Sequence, residues 1–485
     1  MRSFSPRRGG TLAAWAAAVL LAALSGARAD LAAVRQKLDS VLDRPVFARG
    51  IHGCVVQALD TGDRIYSRNP DLLLMTASNL KLITSAAALE ILGPEFRYST
   101  GVYTAGEIDR DGVLHGDLVV KGSGDPLLDE PALQGMIEDL KARGLKRVAG
   151  AIVGDTGDFD RSPYGWGWSW DYLSASYAAP AGALNFNKNV ISIVVEPAAE
   201  PGVPARVTLK PPSGHMRLRS SVMTGERGSS RSVSRERDAG ATTVTVTGSV
   251  PAGGDAATDA VVAVLDPAQF TVDCFREMLI SSGIPVDGRA RKGSAPAGAR
   301  LLARHVSKPL REIVTDLNKW SDNLIAECLL RTLGSVRKGS GSVSAGRDVV
   351  TEFLEKQAGI EPGAVSMADG SGLSRLNLVT CDSFIRLLDH MYRHRHGTDF
   401  MESLPVAGVD GTLRNRMKDT PAQGRVRAKT GYIGGVSSLS GYVTTAAGQP
   451  LAFSLIFNNQ VGTVAPCREA QDEICAYLAG LTEKL

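Results

Sequence analysis

The most informative pattern in the chain is an apolar run whose spacing is helical. Leucine, isoleucine and alanine recur at every third or fourth position from 80 to 92, which predicts a helix that packs into a core. Before it, residues 54–59 have the pattern of an apolar strand, 60–63 that of a tight turn, and 64–67 that of a returning strand. Residues 31–95 therefore predict the order helix, strand, strand, helix.

The middle of the chain has a different pattern. Short β-like runs at 116–120, 148–153, 190–195 and 242–247 are separated by glycine, proline and aspartate, and helical character returns at 267–282. This stretch is too long to be a connection inside one compact domain. We expect residues 96–269 to form a mostly-β insertion of two smaller β-rich domains, 96–125 with 190–269, and 126–189.

The last third of the chain is helical first and β-like afterwards. It predicts helices at 310–334, 343–358 and 381–393, strands at 425–430, 437–446 and 450–458, and a final helix at 467–483. We expect residues 30–95 and 270–485 to join in one domain, so that the whole chain is a multidomain α+β protein.

The first 29 residues have the composition of a secretory signal. Arg2, Arg7 and Arg8 make a positive start, residues 11–24 form an apolar run, and residues 27–29 place alanines where a signal peptidase cuts. We expect cleavage after Ala29 and an exported, periplasmic protein with no integral membrane span. The alternative is an uncleaved anchor, for which the apolar run is short.

Net charge argues against one class of function. The leader holds four arginines and no acidic residue, so its removal would take the formal net charge from +3 to about −1. A chain so close to neutral is not expected to bind nucleic acid by bulk electrostatics. The arginine-rich stretch 217–237 is interpreted either as a solvated ribbon or as a surface for an anionic wall polymer; its arginines are Arg217, Arg219, Arg227, Arg231, Arg235 and Arg237.

The cysteines and histidines do not form a metal-binding pattern. We assign no disulfide to the six cysteines, which are Cys54, Cys274, Cys328, Cys381, Cys467 and Cys475. His390, His394 and His396 lie close together but without a cysteine framework. We expect neither a metal nor an organic cofactor.

Candidate chemistry appears at the start of the helix predicted at 80–92. Ser78 and Lys81 are three residues apart, and such positions share one face of a helix. Alone, the pair also fits a helix cap followed by a surface lysine. Two later tripeptides, Ser321-Asp322-Asn323 and Lys429-Thr430-Gly431, favour a reactive pair instead.

Together the three motifs can supply a nucleophile, a base and an anion site. A serine hydroxyl is a poor nucleophile until a base takes its proton, and Lys81 can be that base if burial or nearby charge lowers its pKa. Lys429 would supply the charge and, with Thr430 on a strand edge, could hold a carboxylate. Ser321 can relay a proton to a leaving amine, and Asn323 can hydrogen-bond Lys81 or a substrate amide.

In this order, Ser-x-x-Lys, Ser-Asp-Asn and Lys-Thr-Gly resemble the signature of penicillin-binding proteins and class A β-lactamases. The whole chain is most similar to the serine D-Ala-D-Ala carboxypeptidase/endopeptidase family, the low-molecular-mass class C penicillin-binding proteins of peptidase family S13. The further segments that carry the resemblance are 93–98, 122–126, 177–180, 368–375 and 404–413.

The resemblance implies a fold and a set of residue roles. The fold is a penicillin-binding-protein/β-lactamase-like catalytic domain, a sheet flanked by helices, with a long insertion between the first two motifs. By resemblance the catalytic residues are Ser78 as acylated nucleophile, Lys81 as its base, Ser321 and Asn323. The substrate-binding residues are Lys429, Thr430, Gly431, Tyr432, whose N–H would share an oxyanion hole with that of Ser78, and Asp171, which would face a free amine of the substrate.

The resemblance also implies a reaction. The family removes the terminal D-alanine from peptidoglycan stem peptides through an acyl-enzyme, can cleave D,D cross-links, and is inhibited covalently by β-lactam antibiotics. Two alternatives stay open: a β-lactamase, which would turn over penicillin rapidly, and a wall-binding protein that has lost its chemistry.

Overall fold

The computed structural model describes residues 29–160 and 162–485. The predicted secretory signal therefore lies outside the described residues, apart from Ala29. The helices are α1 Leu31–Leu42, α2 Leu80–Leu92, α3 Glu130–Ala142, α4 Pro267–Ser281, α5 Leu310–Trp320, α6 Asn323–Lys338, α7 Val343–Lys356, α8 Cys381–Arg393, α9 Gly397–Ser403 and α10 Ala465–Ala479.

The strands of the described residues form six sheets. The strands are β1 Ile51–Ala58, β2 Arg64–Arg68, β3 Leu74–Met75, β4 Ser99–Thr104, β5 Glu107–Ile108, β6 Val113–His115, β7 Leu118–Lys121, β8 Arg147–Val148, β9 Ile152–Asp155, β10 Val190–Glu196, β11 Arg206–Lys210, β12 Arg217–Gly225, β13 Ser232–Glu236, β14 Thr243–Pro251, β15 Ala257–Ala263, β16 Ala290–Gly293, β17 Arg300–Val306, β18 Val365–Ser366, β19 Leu378–Val379, β20 Val426–Ile433, β21 Val436–Thr444 and β22 Pro450–Asn458.

Strands from the N-terminal and C-terminal parts of the chain form one antiparallel sheet, which lies between two layers of helices. Its order is β2-β1-β22-β21-β20. Side chains alternate between its faces: Val55 packs with helices α2 and α5–α9, whereas Cys54 and Val56 pack with α1 and α10. This two-residue period is what a strand buried on both sides requires. The predicted order of helix, strand, strand and helix at 31–95 is confirmed.

The segment between the first two motifs has its own core. A second sheet has the order β16-β9-β7-β4-β17, and the strand by which the chain enters, β4, pairs antiparallel with β17, by which it leaves. Helices α3 and α4 and two three-stranded sheets, β11-β10-β15 and β12-β14-β13, pack into the same core.

This packing differs from the predicted domain limits. Strands β7 and β9 pair in parallel across the helix α3, so residues 126–155 share a sheet with 99–121 and do not form the separate β-rich domain expected at 126–189. The reason is a strand–helix–strand crossover whose helix the sequence analysis did not predict. The second core also continues to Ala303, past residue 269 where the insertion was expected to end.

The helix expected at 310–334 is interrupted. It consists of α5 and α6, because Ser321 adopts a left-handed conformation with φ of 60°. Asp322 then caps α6 by accepting the backbone N–H of Ile325 at 3.2 Å. The break places Ser321 and Asn323 at the meeting point of two helix ends.

Other parts of the chain have mainly structural roles. Arg231 pairs with Asp259, and the nearly buried Arg237 donates to the carbonyls of Leu173 and Ala241, so two of the clustered arginines hold the insertion together. All six cysteines are buried thiols.

In the described residues, we find no helix with the length and apolar character needed to cross a bilayer.

Candidate active site

The three motifs meet at one place. Lys81 Nζ lies 2.9 Å from Ser78 Oγ and 2.6 Å from Asn323 Oδ1. Lys429 Nζ lies 2.8 Å from Ser321 Oγ. The start of α2, the junction of α5 with α6 and the edge strand β20 thus bring together groups that are far apart in the sequence.

Ser78 lies in a tight turn pinned to the sheet. The turn, Ala77–Asn79, is a short 3-10 helix that leads into α2. The side chain of Asn79 donates to Ser440 Oγ at 2.7 Å, and Ser438 Oγ donates to the carbonyl of Thr76 at 2.6 Å. These bonds hold the turn against β21, so the position of the hydroxyl is fixed before any ligand arrives.

Lys81 is placed to exchange a proton with Ser78. Its side chain is completely buried, and burial lowers the pKa of its amine to about 8, although the negative charges of Asp369, Asp322 and Glu327 oppose that shift. Near neutral pH, an appreciable fraction of the amine is therefore unprotonated and able to accept a proton.

Lys429 is a second buried amine beside the first. Burial, together with the positive charge of Lys81, lowers the pKa of Lys429 well below its ordinary value. Its amine donates to Ser321 Oγ and to the carbonyl of Thr430. An anion that binds here would raise the pKa of Lys429 again, because it would offset the charge that burial disfavours.

The strand that carries Lys429 is open to a ligand on one side. β20 is the last strand of its sheet, and among the described residues the backbone pairs with its outer edge only at its first part, where Val406 bridges to Arg427 and Ala428 donates to the carbonyl of Pro405. Thr430 Oγ1 donates to Thr412 Oγ1 at 2.8 Å. The following part of the strand carries the exposed Tyr432, whose ring lies under the guanidinium of Arg468. Such an edge can pair with an extended peptide.

A glycine at 431 is required by the packing. A Cβ added there would overlap Ser438 Oγ and would lie 2.6 Å from the carbonyl oxygen of Thr76. The strand therefore approaches the Ser78 turn more closely than any side chain permits.

A loop of the insertion contacts the same site. Asn323 Nδ2 donates to the carbonyl of Tyr177 at 2.7 Å, and Tyr172 packs against Ala77 and Ile433. Asp171 is exposed in the short turn Trp170–Tyr172. The structure thus places Asp171 on a loop that contacts the site, next to a residue that packs against the Ser78 turn.

The whole chain has the sequence pattern of one peptidase family. A family model described as the D-Ala-D-Ala carboxypeptidase 3 (S13) family matches residues 34–481. The chain belongs to the S13 family.

Individual relatives agree with this assignment. The chain is 38% identical to a D-alanyl-D-alanine carboxypeptidase of Actinomadura sp. over 95% of its length and 86% of the relative. It is 29% identical to D-alanyl-D-alanine carboxypeptidase DacB of Haemophilus influenzae, covering 84% of this chain and 85% of the relative.

The fold of this S13 chain matches a solved penicillin-binding protein. The crystal structure of penicillin binding protein 4 from Haemophilus influenzae superposes with a TM-score of 0.81 at 26% identity, covering 92% of this chain and 99% of that one. The predicted fold class, a penicillin-binding-protein/β-lactamase-like α+β protein, is confirmed.

The sequence analysis did not predict the roles of two residues of this S13 site, Trp168 and Glu327. Trp168 Nε1 donates to Asp369 Oδ2 at 2.8 Å. Glu327 Oε1 accepts the backbone N–H groups of Gly370 and Ser371. The one available signal was Glu327 itself, a carboxylate inside an otherwise apolar helical run, since such a residue needs a buried partner.

Proposed function

We propose that the protein is a serine D-Ala-D-Ala carboxypeptidase that acts on peptidoglycan stem peptides through an acyl-enzyme on Ser78. The observation that carries the proposal is the 2.9 Å approach of a buried amine, Lys81 Nζ, to the Ser78 hydroxyl. A pKa of about 8 for that amine suits a general base at neutral pH. Family membership supports the substrate class.

The reaction would proceed in two halves. Lys81 takes the proton of Ser78, and Oγ bonds to the carbonyl carbon of the penultimate D-alanine. The carbon–nitrogen bond then breaks, and the proton that Lys81 accepted passes through Ser321 to the leaving amine. Water subsequently attacks the ester, and its proton returns by way of Lys81, which restores the Ser78 hydroxyl and releases the shortened peptide.

The remaining residues would bind and orient the substrate. Lys429 and Thr430 would hold the terminal carboxylate, while the open edge beside Gly431 would accept the peptide backbone. The N–H groups of Ser78 and Tyr432 would stabilise the oxyanion. Asp171 would face a free amine on the stem peptide, for which its exposed position on a loop that contacts the site offers support.

The finer parts of the proposal are cross-link cleavage, inhibition by β-lactams and export to the periplasm. A structure of penicillin binding protein 4 from Haemophilus influenzae in complex with a β-lactam, 25% identical and with a TM-score of 0.75, supports the second. The signal-like composition of residues 1–29 supports the third. An exposed edge strand that admits an extended peptide suits cross-linked as well as terminal substrates.

The decisive experiment compares Ser78→Ala with Ser40→Ala, an exposed serine on α1. Both are assayed for D-alanine release and for labelling by fluorescent penicillin, and the mass of the labelled peptide is mapped. We expect loss of both activities for Ser78→Ala only. Normal D-alanine release by Ser78→Ala would refute the proposal, and fast release of hydrolysed penicillin by the unmodified protein would favour a β-lactamase instead.

A further inference from the structure

A buried carboxylate lies behind the Ser78–Lys81 pair without touching Ser78. Glu327 is on α6, one helical turn after Asn323, and is completely buried. Its Oε1 accepts the N–H groups of Gly370 and Ser371 at 2.9 and 3.0 Å, and its Oε2 accepts Arg331 at 3.1 Å. Three N–H donors thus face its two oxygens, as expected for an ionised group.

The loop that Glu327 holds presents an acceptor to the base. The carbonyl of Ser371 accepts Lys81 Nζ at 2.6 Å, and the carbonyl of Gly370 accepts Thr84 Oγ1 at 2.7 Å. Lys81 is therefore oriented by three acceptors, Ser78, Asn323 and this carbonyl, of which only the last depends on the loop 369–374.

The loop 369–374 packs closely against both α6 and the Ser78 turn. A Cβ at Gly370 would lie 2.6 Å from the carbonyl oxygen of Ala326 on α6. Gly372 has φ of 84°, and a Cβ there would overlap the carbonyl of Ala77 in the Ser78 turn. A small shift of the loop would therefore directly change the relative positions of Ser78 and Lys81.

We propose that Glu327 is a positioning residue for Lys81, because its carboxylate fixes the loop 369–374 so that the Ser371 carbonyl faces the Lys81 amine. The inference rests on the proposed function, in which Lys81 is the base. It adds a residue that lies outside the three motifs and acts through the backbone of a loop.

The charged groups around Lys81 give the proposal a second readout. Asp369 on the loop, Asp322 before α6 and Glu327 raise the pKa of Lys81, and Lys429 faces it from β20. Burial and the nearby charge of Asp369 raise the pKa of Glu327 itself, and the charge of Arg331 opposes that shift. Loss of the Glu327 charge, or of the Ser371 acceptor, favours the neutral amine and so lowers the pKa of Lys81. Either change therefore moves the acid limb of the pH–activity profile, the side on which activity falls as Lys81 is protonated, to lower pH.

The test measures kcat/KM for D-alanine release from pH 5 to pH 10 for Glu327→Gln, normalised to the enzyme that penicillin can label. We expect the plateau, which is the maximal kcat/KM reached at high pH, to fall about 10²-fold, the usual cost of a misplaced catalytic group. We also expect the acid limb to move to lower pH. Glu327→Asp keeps the charge but is too short to reach both N–H groups, so its plateau should also fall while its limb moves less.

Glu352→Gln on the surface of α7 is the matched control and should leave plateau and limb in place. A purely structural role for Glu327 would lower the melting temperature and the labelled fraction but would leave the normalised plateau unchanged. The acid limb would move in either case, because the substitution removes a negative charge near Lys81. A wild-type plateau in folded Glu327→Gln overturns the inference.

If Glu327→Gln does not fold, Gly370→Ala decides the question, since it displaces the loop without changing any charge; a wild-type plateau in that variant overturns the inference. An unmodified protein that neither releases D-alanine nor reacts with penicillin would instead overturn the proposed function.

Discussion

Gly431→Ala tests the geometry on which the site depends. The added Cβ would overlap Ser438 Oγ and lie 2.6 Å from the carbonyl oxygen of Thr76. The serine side chain can rotate, but only by giving up its 2.6 Å hydrogen bond to Thr76. The carbonyl is backbone and cannot rotate away, so the strand or the Ser78 turn must move.

The size of the movement sets the expected effect. Ordinary van der Waals contact begins at 3.4 Å, so β20 and the turn must separate by about 0.8 Å. Such overpacking costs about 1–3 kcal/mol in the free energy of unfolding. A displacement of about 1 Å between reacting groups costs about 10²-fold in rate. We therefore expect the second-order rate of penicillin acylation to fall about 10²-fold.

The assay is the rate of labelling by fluorescent penicillin, with the melting temperature measured in parallel. Gly434→Ala is the matched control, because a Cβ there meets only the end of the Arg375 side chain, at 3.1 Å. We expect it to label at nearly the normal rate. If Gly431→Ala labelled as fast as the unmodified protein, the close approach of β20 to the Ser78 turn would not matter for the reaction, and our account of the site would be wrong.

Three further predictions concern the base, the insertion loop and the substrate. The acylation rate should rise with pH through the pKa of Lys81, which is about 8, because only the neutral amine accepts a proton. At pH 7 the rate should be about a tenth of its maximum. A flat pH profile would contradict the role of Lys81 as the base. Trp168→Phe removes the hydrogen-bond donor to the buried Asp369 Oδ2 and should lower the free energy of unfolding, measured by calorimetry, by about 1–3 kcal/mol. Trp166 is exposed, so Trp166→Phe should change that free energy by less than about 0.5 kcal/mol. Equal effects of the two substitutions would show that the Trp168–Asp369 hydrogen bond contributes nothing. Asp171→Asn should raise KM about 2–5-fold for stem peptides that carry a free amine and leave penicillin labelling unchanged; an unchanged KM would remove Asp171 from the substrate site.

Most of the catalytic half of the fold could be predicted because its elements bury one face in a continuous core. The helices expected at 343–358 and 381–393 and the strand expected at 450–458 match α7, α8 and β22 within two residues. One exception is the helix break at Ser321. An apolar pattern continues through it, and the left-handed conformation of a serine leaves no trace in that pattern.

The insertion was less predictable because its sheets are built from distant strands. Strand β4 pairs with β17 about two hundred residues later, and β12 pairs in parallel with β14 while β13 lies on the other side. Short alternating runs indicate strands, but they do not specify partners, since any of them could satisfy the backbone of any other.

The order of residues alone identified the candidate reactive groups: a hydroxyl and an amine three residues apart, followed by two later polar triplets. The chemical type of each group is visible in the sequence. Tertiary structure decided what those groups can do. Burial lowers the pKa of Lys81, a glycine lets β20 approach the Ser78 turn, and Glu327 and Trp168 hydrogen-bond to a loop that neither adjoins in the chain. These effects depend on distance and on exclusion of water, which are properties of the folded arrangement rather than of any local pattern.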